Sequence, residues 1–179
     1  MIGRWNGGTL RRALGAVGLV LFSAALGGAD PAPQVAGARG PVTNLPIPRY
    51  VSLKAAEGNV RRGPSLTHRI DWVYKWRNMP LQVVDEFGHW RRVRDKDGAG
   101  GWMHYSLLSG TRTVIVEQDM LELHLRPDAA SQVVARAEAG AIARLGACGP
   151  RWCRLTADGV KGWAPKEALW GVDPDEIRD

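Results

Sequence analysis

The chain has 179 residues, of which 45% are hydrophobic and 23% are charged, and its formal net charge is +6. The charge falls to +3 beyond residue 29, because the first 29 residues hold three arginines and no acidic residue. A charge of this size suits contact with anionic surfaces but establishes no such partner. The length leaves room for two small domains, and we expect no further catalytic domain beside them.

The first residues predict a cleaved secretory signal peptide over residues 1–29. A start with Arg4, Arg11 and Arg12 precedes an apolar run, residues 13–26, that is too short to favour a bilayer span. Small residues end the run at Ala29, and an uncleaved signal anchor is the alternative. Export predicts a periplasmic or secreted protein that meets the membrane only transiently through this peptide, and it argues against a nucleic-acid partner.

The remainder of the chain divides into four predicted parts. Residues 30–48 are rich in proline, alanine and glycine, which predicts a disordered or extended linker. Two domains of about 60 residues follow, over residues 49–112 and 113–172. An acidic tail occupies residues 173–179.

An internal repeat supports this division. Each copy has a strand-like stretch that begins with tryptophan and, later, a Gly-Trp pair: Trp90 to Val93 with Gly101-Trp102, and Trp152 to Leu155 with Gly162-Trp163. Such a repeat predicts two small modules of one architecture. Positions kept in both copies are most simply packing requirements, so we assign the shared tryptophans to packing and the two glycines to close backbone approach.

Short strand-like runs separated by turn signals predict that both modules are all-β barrels. In the first copy the runs are residues 70–76, 81–84, 89–94 and 101–104, and in the second they are 121–126, 133–136, 141–145 and 152–156. Asp158-Gly159 between two such runs is typical of a hairpin turn.

The first copy resembles the bacterial SH3-like domain family. The resemblance rests on Asn59 to Ser65 (NVRRGPS), on Trp90-x-x-Val93 and on Gly101-Trp102 with Leu108 downstream. It covers about residues 50–172 and implies an exported protein with two tandem SH3-like small β-barrels, although the second copy has Arg126-Pro127 where the family has Arg-Gly-Pro. The family implies binding of peptides or cell-wall material, or targeting beside an enzymatic domain, and fold alone does not decide between these.

Two cysteines bracket a Gly-Pro turn in the second copy. In an oxidising compartment Cys148 and Cys153 predict a disulfide that clamps a hairpin. A redox or metal site is the alternative, but the spacing is not Cys-x-x-Cys and the four histidines are scattered. The sequence also holds no nucleophile with suitable His and acid partners and no phosphate-binding loop. We therefore expect no enzyme activity, no cofactor and no metal.

Aromatic residues give the first candidate binding site. Trp72, Tyr74 and Trp76 alternate along a predicted strand, which places all three on one face. If exposed, they would stack on sugar rings or grip a peptide, with Tyr105 nearby. One wall of a core or an interdomain contact is the alternative. The second copy has alanines in the corresponding region, so binding is expected in the first barrel.

A basic strand adds the remaining candidates. Alternation places Arg92 and Arg94 on the side opposite Val93, where they could meet carboxylates of wall peptides or anionic head groups. The alternative is a solvated strand that protects against edge pairing. Trp90 is a candidate rim residue of the same site.

The sequence thus predicts a non-enzymatic periplasmic binding module that recognises peptides or cell-wall material through its first barrel. Peptidoglycan or an envelope protein is the expected partner. A structural or adaptor protein that mediates protein contacts in the cell envelope is the alternative.

Overall fold

The computed structural model describes residues 38–179, so the predicted signal peptide and the first part of the predicted linker lie outside the described residues. This region holds two 3-10 helices, Tyr105–Leu107 and Lys166–Ala168, and fourteen strands. The strands are β1 (Arg49–Leu53), β2 (Gly58–Arg61), β3 (Ile70–Tyr74), β4 (Pro80–Phe87), β5 (Trp90–Arg94), β6 (Gly100–His104), β7 (Leu108–Ser109), β8 (Thr113–Val116), β9 (Leu121–His124), β10 (Val133–Ala137), β11 (Ile142–Cys148), β12 (Trp152–Ala157), β13 (Val160–Pro165) and β14 (Leu169–Trp170).

The two halves share one topology. The first seven strands form a sheet in the order β3-β2-β6-β5-β4-β1-β7, and the other seven form a sheet in the order β10-β9-β13-β12-β11-β8-β14. Each strand of the second sheet lies seven elements after its counterpart in the first. The predicted fold, two tandem all-β SH3-like barrels, is confirmed. Among residues 38–179 no helix is long and apolar enough to cross a bilayer.

Each barrel has its own core, built by the two-residue alternation of its strands. The first core contains mostly aliphatic side chains, among them Leu53, Val83 and Val93. The second is also aliphatic and includes Leu155 and the two cysteines. Because successive side chains of a strand point to opposite faces, the neighbours of Val93 and Leu155 must point outward.

Two glycines allow strands to approach closely, as the repeat predicts. A Cβ on Gly101 would lie 2.6 Å from the carbonyl oxygen of Arg61 and 2.9 Å from Val60. A Cβ on Gly162 would lie 2.7 Å from the Cβ of Leu123. Neither position has room for a side chain, because β6 and β13 cross β2 and β9 there.

The barrels contact each other through residues of β1 and β14, of the start of β8 and of the loop between β3 and β4. The rings of Tyr50 and Trp170 meet edge to face with centroids 5.4 Å apart. The guanidinium of Arg112 lies 5.4 Å from the centre of the Tyr50 ring. Thr113 also donates a hydrogen bond of 2.7 Å to the carbonyl of Asn78. The contact therefore combines aromatic packing, a cation–π interaction and a hydrogen bond.

Residues 38–48 differ from the disordered or extended linker predicted over residues 30–48. They form a tight turn in which Arg39 pairs with Pro46. The turn is held by Glu86, a buried carboxylate of β4. Glu86 accepts hydrogen bonds from the backbone of Thr43 at 2.8 Å and from its hydroxyl at 2.6 Å, and it pairs with Arg49 at 2.6 Å. Hydrogen bonds to the buried charge of Glu86 thus order a segment whose proline-rich composition favours disorder.

The predicted acidic tail is also fixed to its domain. Arg178 exchanges two backbone hydrogen bonds with Cys148. Glu176 forms an ion pair with Arg112 at 2.8 Å, and the ammonium of Lys166 donates to the carbonyl of Glu176 at 2.7 Å. The tail is thus held by one acidic side chain, that of Glu176, and by its backbone.

We expect Glu86→Gln to detach the turn of residues 38–48 and to lower the free energy of unfolding of the first domain by about 3 kcal/mol. The change leaves Arg49 and Arg91 without their shared counter-charge. Urea denaturation followed by tryptophan fluorescence measures the loss. Glu57→Gln removes an exposed carboxylate of the same barrel and should cost less than about 0.5 kcal/mol. Equal losses in the two variants would contradict the assignment.

The contribution of Glu86 should depend on pH. Burial alone would raise its pKa, but hydrogen bonds from Thr43, Arg49 and Val42 outweigh burial and lower the pKa to about 2 from 4.5. A lowered pKa stabilises the fold above the pKa of the unfolded carboxyl, and this stabilisation is lost as pH falls toward the folded value. The stability gap between the parent and Glu86→Gln should stay constant above about pH 5. It should then narrow steadily below about pH 4.5, and a gap that widens there would contradict the sign.

Candidate functional site

The outer surface of β4, β5 and β6 gathers aromatic and basic side chains. Arg92 of β5 lies opposite Trp102 of β6 and Asp85 of β4. Two residues earlier on β5, Trp90 lies opposite His104 of β6 and Phe87 of β4. Side chains that oppose each other across antiparallel strands share a face of the sheet. These residues therefore lie on the outside of the first barrel.

The aromatic rings of this surface contact one another. The ring centroid of His104 lies 5.5 Å from that of Trp90 and 4.9 Å from that of Tyr105. His89 lies 5.5 Å from Tyr105, which is 49% exposed, while Phe87 is 63% exposed. We name this surface the aromatic face; it consists of Phe87, His89, Trp90, Trp102, His104 and Tyr105.

Local structure holds Tyr105 in place on this face. His104 precedes the 3-10 helix Tyr105–Leu107, and its ring accepts from the backbone of Ser106 at the start of that helix. The guanidinium of Arg91 lies 5.9 Å from the centre of the Tyr105 ring. Arg91 is itself buried and 3.5 Å from Glu86. Glu86, which holds the turn of residues 38–48, thus also pairs with the arginine that contacts Tyr105 of the aromatic face.

Cations border the aromatic rings. Arg92 and Arg94 are exposed, and Arg94 donates a hydrogen bond of 2.7 Å to the side chain of Gln82. Arg61 lies opposite Trp102 and donates to the carbonyls of the following loop. The guanidinium groups of Arg94 and Arg61 are thus hydrogen-bonded to neighbouring groups. The guanidinium of Arg92 makes no hydrogen bond within residues 38–179.

The predicted strip of Trp72, Tyr74 and Trp76 divides into core and surface. Tyr74 is 2% exposed, and its hydroxyl donates to Asp95 at 3.1 Å or to Ala99 at 2.9 Å. Burial raises the pKa of Tyr74, and the charge of Asp95 adds to the effect. Tyr74 is a core residue, because the end of β3 passes over the barrel interior.

The two tryptophans of the strip remain accessible. Trp72 is 53% and Trp76 is 67% exposed. Trp72 lies on β3, the outermost strand of its sheet, and its ring meets that of Tyr74 edge to face at 6.5 Å. Trp76 follows the end of β3. Trp72 and Trp76 are therefore exposed, as a binding site requires, whereas Tyr74 packs in the core.

The structure brings four of the seven predicted residues to one surface: Trp90, Arg92, Arg94 and Tyr105. The sequence reasoning missed Phe87, His89 and His104 and set Trp102 aside as a packing residue. Trp102 and His104 are two positions apart in a strand-like run, so alternation alone could have placed them on one face.

The tryptophans shared by the two copies lie outside both cores. Trp90, Trp102, Trp152 and Trp163 are all partly exposed. In the second barrel Arg154 lies opposite Trp163, which repeats the pairing of arginine and indole seen in the first. Aliphatic side chains fill the two cores, and these half-buried indoles pack on the outside of the barrels.

The predicted disulfide is confirmed. Cys148 and Cys153 are bonded, with an S–S distance of 2.08 Å, and they lie opposite each other on β11 and β12. The bond closes the turn of residues 149–152. Within the described part of the chain, no three His, Cys, Asp or Glu side chains are arranged to hold a metal ion.

Comparison with known families agrees with the topology. The family described as bacterial SH3 domain matches the chain twice, over residues 54–110 and 117–171. The chain belongs to the bacterial SH3 domain family. Both matched segments fall within the two barrels, which are therefore its first and second SH3 domains. No curated protein sequence matches the chain significantly.

Solved structures give more distant likenesses. NlpC2 of Trichomonas vaginalis is 13% identical over 69% of this chain, with a TM-score of 0.32, and NlpC1 of the same organism is 13% identical over 68%, also with a TM-score of 0.32. An NlpC/P60 family protein from Bacillus cereus is 12% identical over 68%, with a TM-score of 0.31. The matched part spans 48%, 45% and 55% of these three chains, or about half of each.

Substitution separates the core residue of the strip from its exposed neighbour. Tyr74→Ala should lower the free energy of unfolding by about 3 to 5 kcal/mol, because it leaves a cavity in the core. Trp72→Ala should cost less than about 1 kcal/mol, because half of the indole already meets solvent. Thermal denaturation of both variants measures the difference. Similar losses would show that Trp72 is also a packing residue.

Proposed function

We propose that this protein is a non-enzymatic binding module of the cell envelope that recognises peptides or cell-wall material through its first SH3 domain. The aromatic face is the recognition surface. Peptidoglycan is the proposed partner, because it combines sugar rings with peptides that carry carboxylates.

The observation that carries the proposal is the clustering of accessible rings beside an arginine on one outer surface. Phe87 and Tyr105 offer flat apolar area, and Trp90 lies between them and His104. Aromatic side chains bind with little loss of conformational entropy and combine an apolar body with a polar edge. Arg92 adds a charged fork that matches a carboxylate.

The first SH3 domain is proposed over the second for this role because its outer surface is richer in rings. At the place of His104, opposite the leading tryptophan, the second domain has Pro165. At the place of Arg94 it has Thr156. Arg154 opposite Trp163 and the partly exposed Trp152 remain there, and they offer less area for stacking.

A binding role also fits the side chains at hand. In residues 38–179 the contact most like a nucleophile and base is the one between Ser106 and His104, at 2.7 Å. It caps a 3-10 helix, and no carboxylate of the described chain pairs with His104. A hydrolytic mechanism needs a third group to orient the imidazole, so we propose binding without catalysis.

A periplasmic or secreted location completes the proposal. It rests on the signal peptide predicted from residues 1–29 and on the Cys148–Cys153 disulfide. Structural disulfides persist mainly in oxidising compartments. The aromatic face would then be presented directly to the envelope.

An adaptor that binds an envelope protein is the second candidate, and the outermost strand β3 favours it. This strand carries the exposed Trp72 and is followed by the exposed Trp76. Unpaired strand edges next to apolar side chains accept strands of a partner. Light scattering after size exclusion, with and without periplasmic extract, distinguishes a self-associating adaptor from a monomeric binder.

Cosedimentation with purified peptidoglycan tests the first candidate. The parent protein should pellet with the polymer, and Trp90→Ala and Tyr105→Ala should each reduce the bound fraction at least about fivefold, as expected for losing one stacked ring. Leu66→Ala, which removes a side chain that is 73% exposed outside the aromatic face, is the control. Circular dichroism verifies that each variant is folded. If no protein pellets, or if all variants bind as the parent does, the proposal is wrong.

A further inference from the structure

The second SH3 domain carries a cleft of its own. It has a volume of about 870 Å³ and is lined by β9, by the turn of residues 149–152, by the second 3-10 helix and by the start of the tail. The cleft near the aromatic face, by comparison, has a volume of about 270 Å³. The larger space therefore lies in the domain where the sequence reasoning expected no ligand.

Covalent and ionic links hold the walls of this cleft. The disulfide closes the turn that carries Pro150 and Trp152 into the lining. The backbone pairing of Arg178 with Cys148 and the ion pair of Glu176 fix the tail, whose Pro174 forms another wall. A cleft whose walls are already fixed loses little entropy when a ligand enters.

The decisive residue of the cleft is His124. Its side chain is 7% exposed, and its Nδ1 lies 2.9 Å from the carbonyl oxygen of Ser131. A carbonyl oxygen can only accept, so Nδ1 carries the hydrogen, and Nε2 of the neutral ring is an acceptor. Within residues 38–179, Nε2 makes no hydrogen bond. A ring nitrogen that opens to a cleft without a protein partner can accept a hydrogen bond from a ligand.

A carboxylate stands beside this acceptor. Oε2 of Glu122 lies 4.0 Å from Nε2 of His124, which is too far for a hydrogen bond between them. Glu122 also lines the cleft, and its other oxygen, Oε1, pairs with Arg136 at 2.9 Å. One nitrogen donor about 2.8 Å from both acceptors would make an angle of about 90° between them, which suits the hydrogens of an ammonium group.

The remaining lining defines what the ammonium is attached to. The indole of Trp152 packs edge to face on His124 at 5.5 Å, and Leu121, Leu169 and Val172 supply apolar surface. An alkyl chain can lie on such a surface while its charged end reaches the acceptors. A nearby indole also attracts a cation.

Two cationic side chains of the cleft do not compete for this position. Lys166 points its ammonium to the carbonyls of Pro174 and Glu176, at 3.1 and 2.7 Å. Arg151 forms no ion pair with Glu122 among residues 38–179, where the partners of Glu122 are Arg136 and, at 4.0 Å, His124. The acceptor pair on β9 therefore remains available to a cation of a ligand.

We propose that the cleft of the second SH3 domain binds a peptide through a primary ammonium side chain, held between Nε2 of His124 and the carboxylate of Glu122. This site is separate from the aromatic face and would give the protein two different recognition surfaces. Its occupant is a lysine-like side chain with an apolar neighbour, since the volume of the cleft exceeds that of an amine alone.

Titration of the purified protein with N-acetyl-Leu-Lys-amide, followed by ¹H–¹⁵N NMR, tests the proposal. The peptide should shift the amide signals of residues 121–125 and the indole signal of Trp152. It should also shift the ring nitrogen signals of His124, which a role in folding alone would not cause. The same peptide with its ε-amine acetylated should bind at least about tenfold more weakly, because a charged hydrogen bond is lost.

Matched variants complete the test. Glu122→Gln keeps the shape of the side chain but removes its charge, and it should weaken the lysine peptide about tenfold. Glu138→Gln, at an exposed carboxylate outside the cleft, should leave the affinity unchanged. Equal affinity for the two peptides, equal affinity in the two variants, or no shift at His124 would each overturn the proposal. Trp90→Ala should leave this titration unaffected, so failure here and failure at the aromatic face are distinguishable.

Discussion

The alternation of side chains along a strand is the constraint on which both domains depend. Val93 and Leu155 must fill a narrow interior, so the residues on either side of each are forced outward. In both domains this places an arginine beside an indole on the outer surface: Arg92 with Trp102, and Arg154 with Trp163. The aromatic face of the first domain, its proposed recognition surface, is thus a consequence of how its core is filled.

The two domains share a topology and differ in the contacts that hold their loops and terminal segments. In the first, Glu86 links the N-terminal turn to Arg91, and Arg91 in turn supports the ring of Tyr105. In the second, a disulfide and a paired tail enclose a cleft beside His124. Each domain therefore combines the same barrel with its own device for fixing loops, and fixed loops are where small folds gain specificity.

Much of the fold could be predicted from the sequence, because the repeat and the alternation are local patterns. The disulfide followed from the close spacing of the cysteines and the expected oxidising compartment, and the outward direction of Arg92 and Arg94 followed from alternation about Val93. The burial of Tyr74 could not be predicted in this way, because it depends on which strand lies over the interior of the barrel. The cleft was missed because His124 becomes a candidate only when Ser131 is known to occupy one of its nitrogens. Contacts between distant residues leave no periodic signal.

The C-terminal residues connect regions that are far apart in the sequence. Glu176 holds the guanidinium of Arg112, and the same guanidinium lies over the ring of Tyr50 in the first domain. A chain shortened by its last few residues would free Arg112 at the junction of the domains as well as remove a wall beside Pro174.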